Sequence, residues 1–227
     1  MRAKFARQGD FTLGPALHDG ADTAADALRV LAAAVDSDPE RLLVMDLEGA
    51  LRVGGTVETV QVSAMHAELG PICHVFDVGV CAAPLTGEGY DTADAPVSLR
   101  SLLEDDTIVK VLHCCRGDAT ALWYLFGIQM SNVVDTAVAD MVALGSKSTR
   151  GLQKVLWQWA GAHATLEHKD QVDHRQGAAW ASRPLSAQLI EYAFQDVQYL
   201  REAHLALREH VEALSLGELG RCLSQQR

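Results

Sequence analysis

Residues 42–49 read Leu42-Leu43-Val44-Met45-Asp46-Leu47-Glu48-Gly49, an apolar run that ends in two carboxylates. The run predicts a buried β-strand. Because alternate side chains of a strand share one face, Asp46 and Glu48 are expected to point the same way. Two like charges this close repel each other unless a cation lies between them or one of them is protonated. The stretch therefore indicates a metal site or a shared proton, and the simpler alternative is a solvated strand end.

The composition places this strand in a globular chain. Of 227 residues, 48% are apolar and 22% are charged, which is within the range of a single folded domain. No apolar run reaches the length of a membrane span, and no secretory signal opens the chain. The net charge of -11 argues against a nonspecific nucleic-acid coat protein, which needs a basic surface. It is compatible with an enzyme whose acidic site holds cations.

The cysteines and the first residues bear on the compartment. The cysteine count is odd and no pair has CxxC spacing, which predicts reduced thiols in an intracellular protein and no zinc site. They are Cys73, Cys81, Cys114, Cys115 and Cys222. Residues 1–7 are basic and free of acids, a feature of organelle-targeting peptides. The sequence does not decide between cytoplasm, nucleus and organelle.

The periodicity of the chain predicts a mixed α/β architecture. Residues 1–20 are expected to be irregular, and an amphipathic helix is expected over residues 21–35. Strands over 41–48, 57–64 and 72–77, joined by short turns, predict an antiparallel meander. A surface loop over 82–96 and a helix over 97–104 lead to a strand over 107–113. Helices then alternate with one short strand near 132–134, which gives an α/β or α+β single domain.

Further acidic residues follow at two places. Asp118 lies at a strand-to-helix junction, where an acid next to the helix dipole is the alternative explanation. Ser186 is predicted to cap a late helix. On that helix Tyr192 and Asp196 are four residues apart and so lie on one face. Their alternative explanation is a tyrosine at the core edge and a solvated aspartate.

Taken together, these residues resemble the DEDD superfamily of 3′ to 5′ exonucleases, in the DEDDy branch that includes ribonuclease D. The resemblance covers roughly residues 40–210 and is reinforced by Asn132–Ala139, by Lys169 and by Trp180–Ser186. It implies a ribonuclease H-like three-layer fold. In that fold, helices flank a central mixed sheet of three antiparallel strands followed by parallel strands. The implied division is a leading extension and helix (1–38), the exonuclease domain (39–212) and a tail (213–227).

The resemblance also implies roles for the acidic residues. Asp46, Glu48, Asp118 and Asp196 would bind two divalent cations, Mg²⁺ or Mn²⁺, and Tyr192 would orient the attacking water. Carboxylate oxygens suit both ions, and a pair of ions can activate water and stabilise a leaving oxygen. The implied substrate is single-stranded nucleic acid, RNA in preference to DNA. The implied products are nucleoside 5′-monophosphates. A homodimer or a protein partner is a further implication.

Basic residues supply candidate phosphate contacts, although each of them can equally be a solvated surface base. These candidates are Arg116, Lys147, Arg150, Lys169, Arg175 and Arg183. Asp135, although close to the acidic motifs in sequence, is interpreted as a structural acid at a helix start. Cys114 departs from the family pattern, because an aspartate often stands at this position.

Two other functions remain open at this point. Some relatives, including the Egalitarian-like group, resemble RNA-binding adaptors that have lost catalytic residues, whereas all five of the implied catalytic residues are present here. The segment Met45–Leu51 superficially resembles the Asp-x-Asp-Gly opening of haloacid-dehalogenase phosphatases. Glu48 replaces the second aspartate of that motif, so this alternative is remote.

Overall fold

The computed structural model describes residues 16–93, 97–161, 163–166 and 177–224. Within them, strands form one mixed sheet in the order β1-β4-β3-β2-β5-β6. The strands are β1 (Ala16–His18), β2 (Leu42–Glu48), β3 (Thr59–His66), β4 (Gly70–Asp77), β5 (Val109–Leu112) and β6 (Val133–Asp135). Strands β2, β3 and β4 pair antiparallel, and β5 and β6 pair parallel beside β2. The predicted meander and mixed α/β fold are confirmed.

Helices cover both faces of the sheet. They are α1 (Ala21–Ser37), α2 (Ala83–Thr86), α3 (Leu99–Glu104), α4 (Arg116–Phe126), α5 (Thr136–Ala143), α6 (Leu152–Trp159), α7 (Gly177–Ala181), α8 (Ala187–Gln198) and α9 (Leu200–Ser224). One core joins α1, α3 and α4 to the sheet, and a second joins α6, α8 and α9 to its opposite face. This is the three-layer arrangement that the sequence predicts.

The central strand β2 shows how the sequence divides between the two faces. Leu43, Met45 and Leu47 are buried in the core beneath α1. Leu42 and Val44 are buried in the core beneath α8 and α9. Because the side-chain period of a strand is two residues, the same alternation sends the carboxylates that follow toward the α8 side.

Two helices begin at capping side chains, one a hydroxyl and one an acid, as expected. The Ser186 hydroxyl accepts a hydrogen bond of 3.2 Å from the backbone amide of Leu189 at the start of α8. The Asp135 carboxylate accepts hydrogen bonds from the amides of Ala137 and Val138 at the start of α5. Its structural role is therefore confirmed.

Two local expectations were wrong. Residues 16–18 are not irregular but form β1, which pairs parallel with β4; a three-residue edge strand is too short to show alternation. The predicted loop over 82–96 contains the short helix α2, where Pro84 occupies the first turn that tolerates proline. The basic segment at residues 1–7 lies outside the described residues.

No helix in the described part of the chain is long and apolar enough to cross a membrane.

Candidate active site

Three carboxylates converge at the end of the central strand. Asp46 and Glu48 come from β2, and Asp196 comes from α8. Ligand oxygens of the three side chains all lie within 4.8 Å of one another. Like charges this close repel, so the cluster favours a bound cation or a retained proton.

The cluster opens into a cavity of about 400 Å³. Tyr192 and Asp196, one helical turn apart on α8, both line it, as their spacing predicts. The other lining residues are Asp46, Glu48, His113, Cys114, Leu152 and Leu200. Carboxylates and a phenol thus share one recess of the surface.

Asp118 lies behind this group. Its side chain comes from the first turn of α4 and only 4% of the residue is exposed. Burial raises its pKa to about 6, with a further contribution from the charges of Asp135 and Asp196, while the amides of Asp118 and Leu47 oppose the rise. Asp118 is not among the three residues whose oxygens meet within 4.8 Å. The structure therefore places it next to the cluster but not in it.

The donor set fits a divalent cation. Carboxylate oxygens are the ligands that Mg²⁺ and Mn²⁺ prefer. In addition, Oδ1 of Asp118 is buried and accepts no hydrogen bond from the described residues. A buried carboxylate oxygen without a partner is costly unless something positive approaches it. The four acids implied by the sequence are thus compatible with a cation site to which Asp118 contributes from its buried position.

Tyr192 keeps its proton at neutral pH. Burial raises the pKa of its phenol well above the usual range, and the negative charges of Asp196, Glu48 and Asp46 add to the effect. Its ring packs edge-on against Trp180, with 5.9 Å between ring centroids. Trp180 is fully buried, so it fixes one side of the phenol. Tyr192 can therefore act as a hydrogen-bond donor whose ring is fixed by Trp180, and not as a base.

Gln61 is a site residue that the sequence analysis missed. It is fully buried on β3, directly opposite Asp46 in the antiparallel register. Its side-chain amide donates a hydrogen bond of 2.8 Å to Oδ2 of Asp46. The signal that could have revealed it is the strand pairing, which places a buried amide beside an acidic side chain.

A family model for a 3′-5′ exonuclease matches residues 37–212, which is most of the chain. The chain belongs to the 3′-5′ exonuclease family. Curated relatives agree with this membership: ribonuclease D of Gluconacetobacter diazotrophicus is 37% identical over 140 residues, 59% of this chain and 34% of the relative. The piRNA biogenesis protein EXD1 of Homo sapiens is 32% identical over 125 residues, 50% of this chain and 24% of EXD1. The chain spans about a third of the length of the ribonuclease D relatives it matches.

Solved structures share the exonuclease fold. RNase D of Trypanosoma brucei in complex with RNA U12 superposes with a TM-score of 0.67 at 23% identity, over 87% of this chain and 63% of that one. NrnC of Brucella melitensis with bound Mg²⁺ superposes with a TM-score of 0.63 at 21% identity, over 89% of this chain and 84% of that one. At these identities the likeness shows the fold alone. The family match leaves the phosphatase alternative without support.

Two of the predicted phosphate contacts of this exonuclease-family chain are engaged in ion pairs. The Arg150 guanidinium binds both carboxylate oxygens of Asp140, at 2.8 and 2.5 Å. Hydrogen bonds from Arg150 and from the Trp159 indole hold the pKa of Asp140 below its usual range. Arg183 pairs with Asp77 and Glu58. The sequence shows basic residues but not the distant acids that neutralise them.

Of the remaining basic candidates, two are exposed and two lie outside the described residues. Arg116, at the start of α4, and Lys147, after α5, are exposed. Lys169 and Arg175 lie outside the described residues. Arg116 follows Cys114 and Cys115, whose backbone amides donate to the carboxylate of Asp135. This anchor holds the backbone at Cys114, which lines the cavity and precedes Arg116 by two residues.

Proposed function

We propose that this chain is a divalent-cation-dependent 3′ to 5′ exonuclease that removes nucleotides from single-stranded RNA and releases nucleoside 5′-monophosphates. The observation that carries the proposal is the convergence of Asp46, Glu48 and Asp196 with Tyr192 on one cavity of a family member. The domain that performs the reaction is assigned to residues 39–212.

The carboxylates would hold the cations. Asp46, Glu48 and Asp196 offer oxygens from two elements, and Asp118 offers a buried oxygen from a third. Two divalent ions bound there would lower the pKa of an attacking water and stabilise the departing 3′ oxygen. Mg²⁺ and Mn²⁺ both suit an all-oxygen donor set, so either ion is expected to support activity.

The protein side chains supply orientation. Tyr192 donates a hydrogen bond from a phenol that stays protonated, so it can align a water or a phosphate oxygen without taking a proton. Gln61 donates a hydrogen bond to Oδ2 of Asp46 and so orients this carboxylate at the end of β2. Arg116, which is exposed and lies two residues after the cavity-lining Cys114, would supply a phosphate contact.

RNA is the preferred substrate in this proposal. Its support comes from relatives: several are ribonuclease D proteins, and the RNase D of Trypanosoma brucei was solved with RNA U12. The acidic character of the chain, with a net charge of -11, argues that substrate contacts are few and local. A homodimer or a partner protein would then extend the binding surface.

The test is digestion of a single-stranded RNA that carries a 5′ fluorophore, with Mn²⁺, with Mg²⁺ and with EDTA. We expect a ladder of products shortened from the 3′ end with either cation and none with EDTA, and chromatography should identify nucleoside 5′-monophosphates. A DNA strand of the same sequence measures the preference for RNA. An intact strand that is nevertheless bound in Mn²⁺ would contradict the proposal and favour the adaptor alternative.

A further inference from the structure

Arg183 lies in the turn between α7 and α8 and binds groups from three parts of the chain. Its Nη2 donates to Oδ1 of Asp77 at 2.5 Å and to Oε2 of Glu58 at 3.2 Å. Its Nη1 donates to the carbonyl oxygens of Trp180 and Ser182. Asp77 is the last residue of β4, and Glu58 directly precedes β3.

Burial fixes this arrangement. Asp77 is 2% exposed and Glu58 is 9% exposed. Buried carboxylates are costly unless they are paired, and removal of one partner leaves an uncompensated charge. Two acids share one guanidinium here, so Arg183 is committed to them and is not available to a substrate phosphate. These ion pairs favour a structural connection over the predicted contact with the substrate.

That connection reaches both halves of the candidate active site. The backbone amide of Glu58 donates a hydrogen bond of 2.8 Å to the carbonyl oxygen of Glu48, at the end of β2. On the other side, Trp180 packs against the ring of Tyr192. Ser186, three residues after Arg183, caps the helix that carries Tyr192 and Asp196. Arg183 therefore binds one neighbour of the β2 carboxylates, Glu58, and one neighbour of Tyr192, Trp180.

Gly79 lies directly against the same ion pair. Its amide donates to the carbonyl oxygen of Glu58 at 3.0 Å. A Cβ added at Gly79 would overlap both Nη2 of Arg183 and Oε2 of Glu58. The backbone of Gly79 does not adopt the left-handed conformation, so the effect of a side chain at this position would be to displace the ion pair.

We propose that Arg183, through Glu58 and Trp180, is a positioning residue that sets the distance between the β2 carboxylates and the α8 residues Tyr192 and Asp196. This inference rests on the proposed exonuclease function. It predicts that disturbing the guanidinium weakens cation binding and turnover while the affinity for RNA changes little, because the guanidinium binds Asp77 and Glu58.

The main test compares Arg183→Lys with Arg201→Lys. Lysine keeps the positive charge but cannot span two carboxylates and two carbonyls. Arg201 is a matched control, because its Nη2 binds both oxygens of the buried Asp38 at 2.9 and 3.0 Å, away from the cluster. We expect Arg183→Lys to lower kcat and Mn²⁺ affinity about 10- to 100-fold with KM within about twofold. Arg201→Lys should change thermal stability alone.

A second pair of variants leaves every charged side chain in place. Gly79→Ala should displace the guanidinium and reproduce the loss of Mn²⁺ affinity seen in Arg183→Lys. Gly151→Ala is its control, because a Cβ at Gly151 meets no atom within 4 Å. Calorimetric titration with Mn²⁺ reports the affinity without reference to activity, and hydrogen exchange over residues 187–198 reports whether α8 has loosened.

These measurements separate the two proposals. If the unmodified chain digests no RNA but Arg183→Lys still weakens Mn²⁺ binding and loosens α8, the exonuclease proposal fails and the positioning role stands. If the unmodified chain is active and Arg183→Lys and Gly79→Ala retain its kcat and its Mn²⁺ affinity, the positioning role is wrong. A selective rise in KM for Arg183→Lys would also contradict it and restore the substrate-contact interpretation.

Discussion

The side-chain amide of Gln61 donates a 2.8 Å hydrogen bond to Oδ2 of Asp46, between neighbouring strands of the sheet. Gln61 is fully buried, so this bond is not exchanged with water. A hydrogen bond of this kind fixes the orientation of a carboxylate that is expected to bind a cation. It therefore links the packing of β3 to the chemistry at the end of β2.

Gln61→Leu should reduce turnover more than stability. Leucine has a similar volume but no amide, so the Asp46 carboxylate loses its orienting donor. We expect kcat to fall about 10- to 100-fold, by analogy with other residues that orient metal ligands. Thr59→Val is the matched control, since Thr59 contacts the Gln61 carbonyl oxygen only weakly, at 3.4 Å. Equal losses in both variants, measured by RNA digestion, would refute the orienting role.

Asp196→Asn should abolish RNA digestion while the fold is retained. Asp196 is one of the three clustered acids, and asparagine preserves its shape but removes its charge. We expect activity to fall more than about 100-fold, beyond the effect of an orienting residue. Without added cation the thermal midpoint should stay unchanged or rise, because one of three mutually repelling charges is gone. Activity that survives this change would refute the assignment of the site.

The local features of the site follow from the sequence, because they depend on short-range periodicity. A two-residue period places Asp46 and Glu48 on one face of β2, and a four-residue spacing places Tyr192 and Asp196 on one face of α8. What joins strand and helix is tertiary packing, which no spacing encodes. Their convergence was expected only from the resemblance to the DEDDy exonucleases.

Long-range ion pairs mark the limit of the sequence reasoning. Arg183 lies 106 residues from Asp77 and 125 from Glu58, so its partners could not be inferred from neighbours in the chain. The edge strand β1 escaped notice for a similar reason, because its three residues are ordered by parallel pairing with β4. Both errors concern contacts between distant segments.

Divalent cations should raise the thermal midpoint of the chain. Ions that bind the folded cluster of Asp46, Glu48 and Asp196, and not the unfolded chain, stabilise by mass action. At a cation concentration about 100 times the dissociation constant the gain is about 2.7 kcal/mol. Thermal melts in Mn²⁺ and in EDTA measure the shift, and Asp196→Asn should abolish most of it. A shift of the same size in that variant would place the bound ion elsewhere.

Acid should destabilise the chain through His204, which is 5% exposed on α9. Burial lowers its pKa to about 4, with Arg208 and Arg201 lowering it further and Glu40 opposing them. Because the unfolded chain takes up this proton near pH 6.5 and the folded chain does not, the stabilisation is complete above about pH 6.5. It is lost as the pH falls to about 4, by roughly 2 to 3 kcal/mol.

His74 adds to the same loss of stability. Burial, together with the neighbouring His18, lowers its pKa to about 4. Denaturant unfolding between pH 7 and pH 4 should therefore show a falling free energy of unfolding, and His204→Leu should remove about half of the slope that these two histidines contribute. A slope that is the same in His204→Leu as in the unmodified chain would show that His204 is protonated in the folded state. In that case other groups would carry the acid sensitivity.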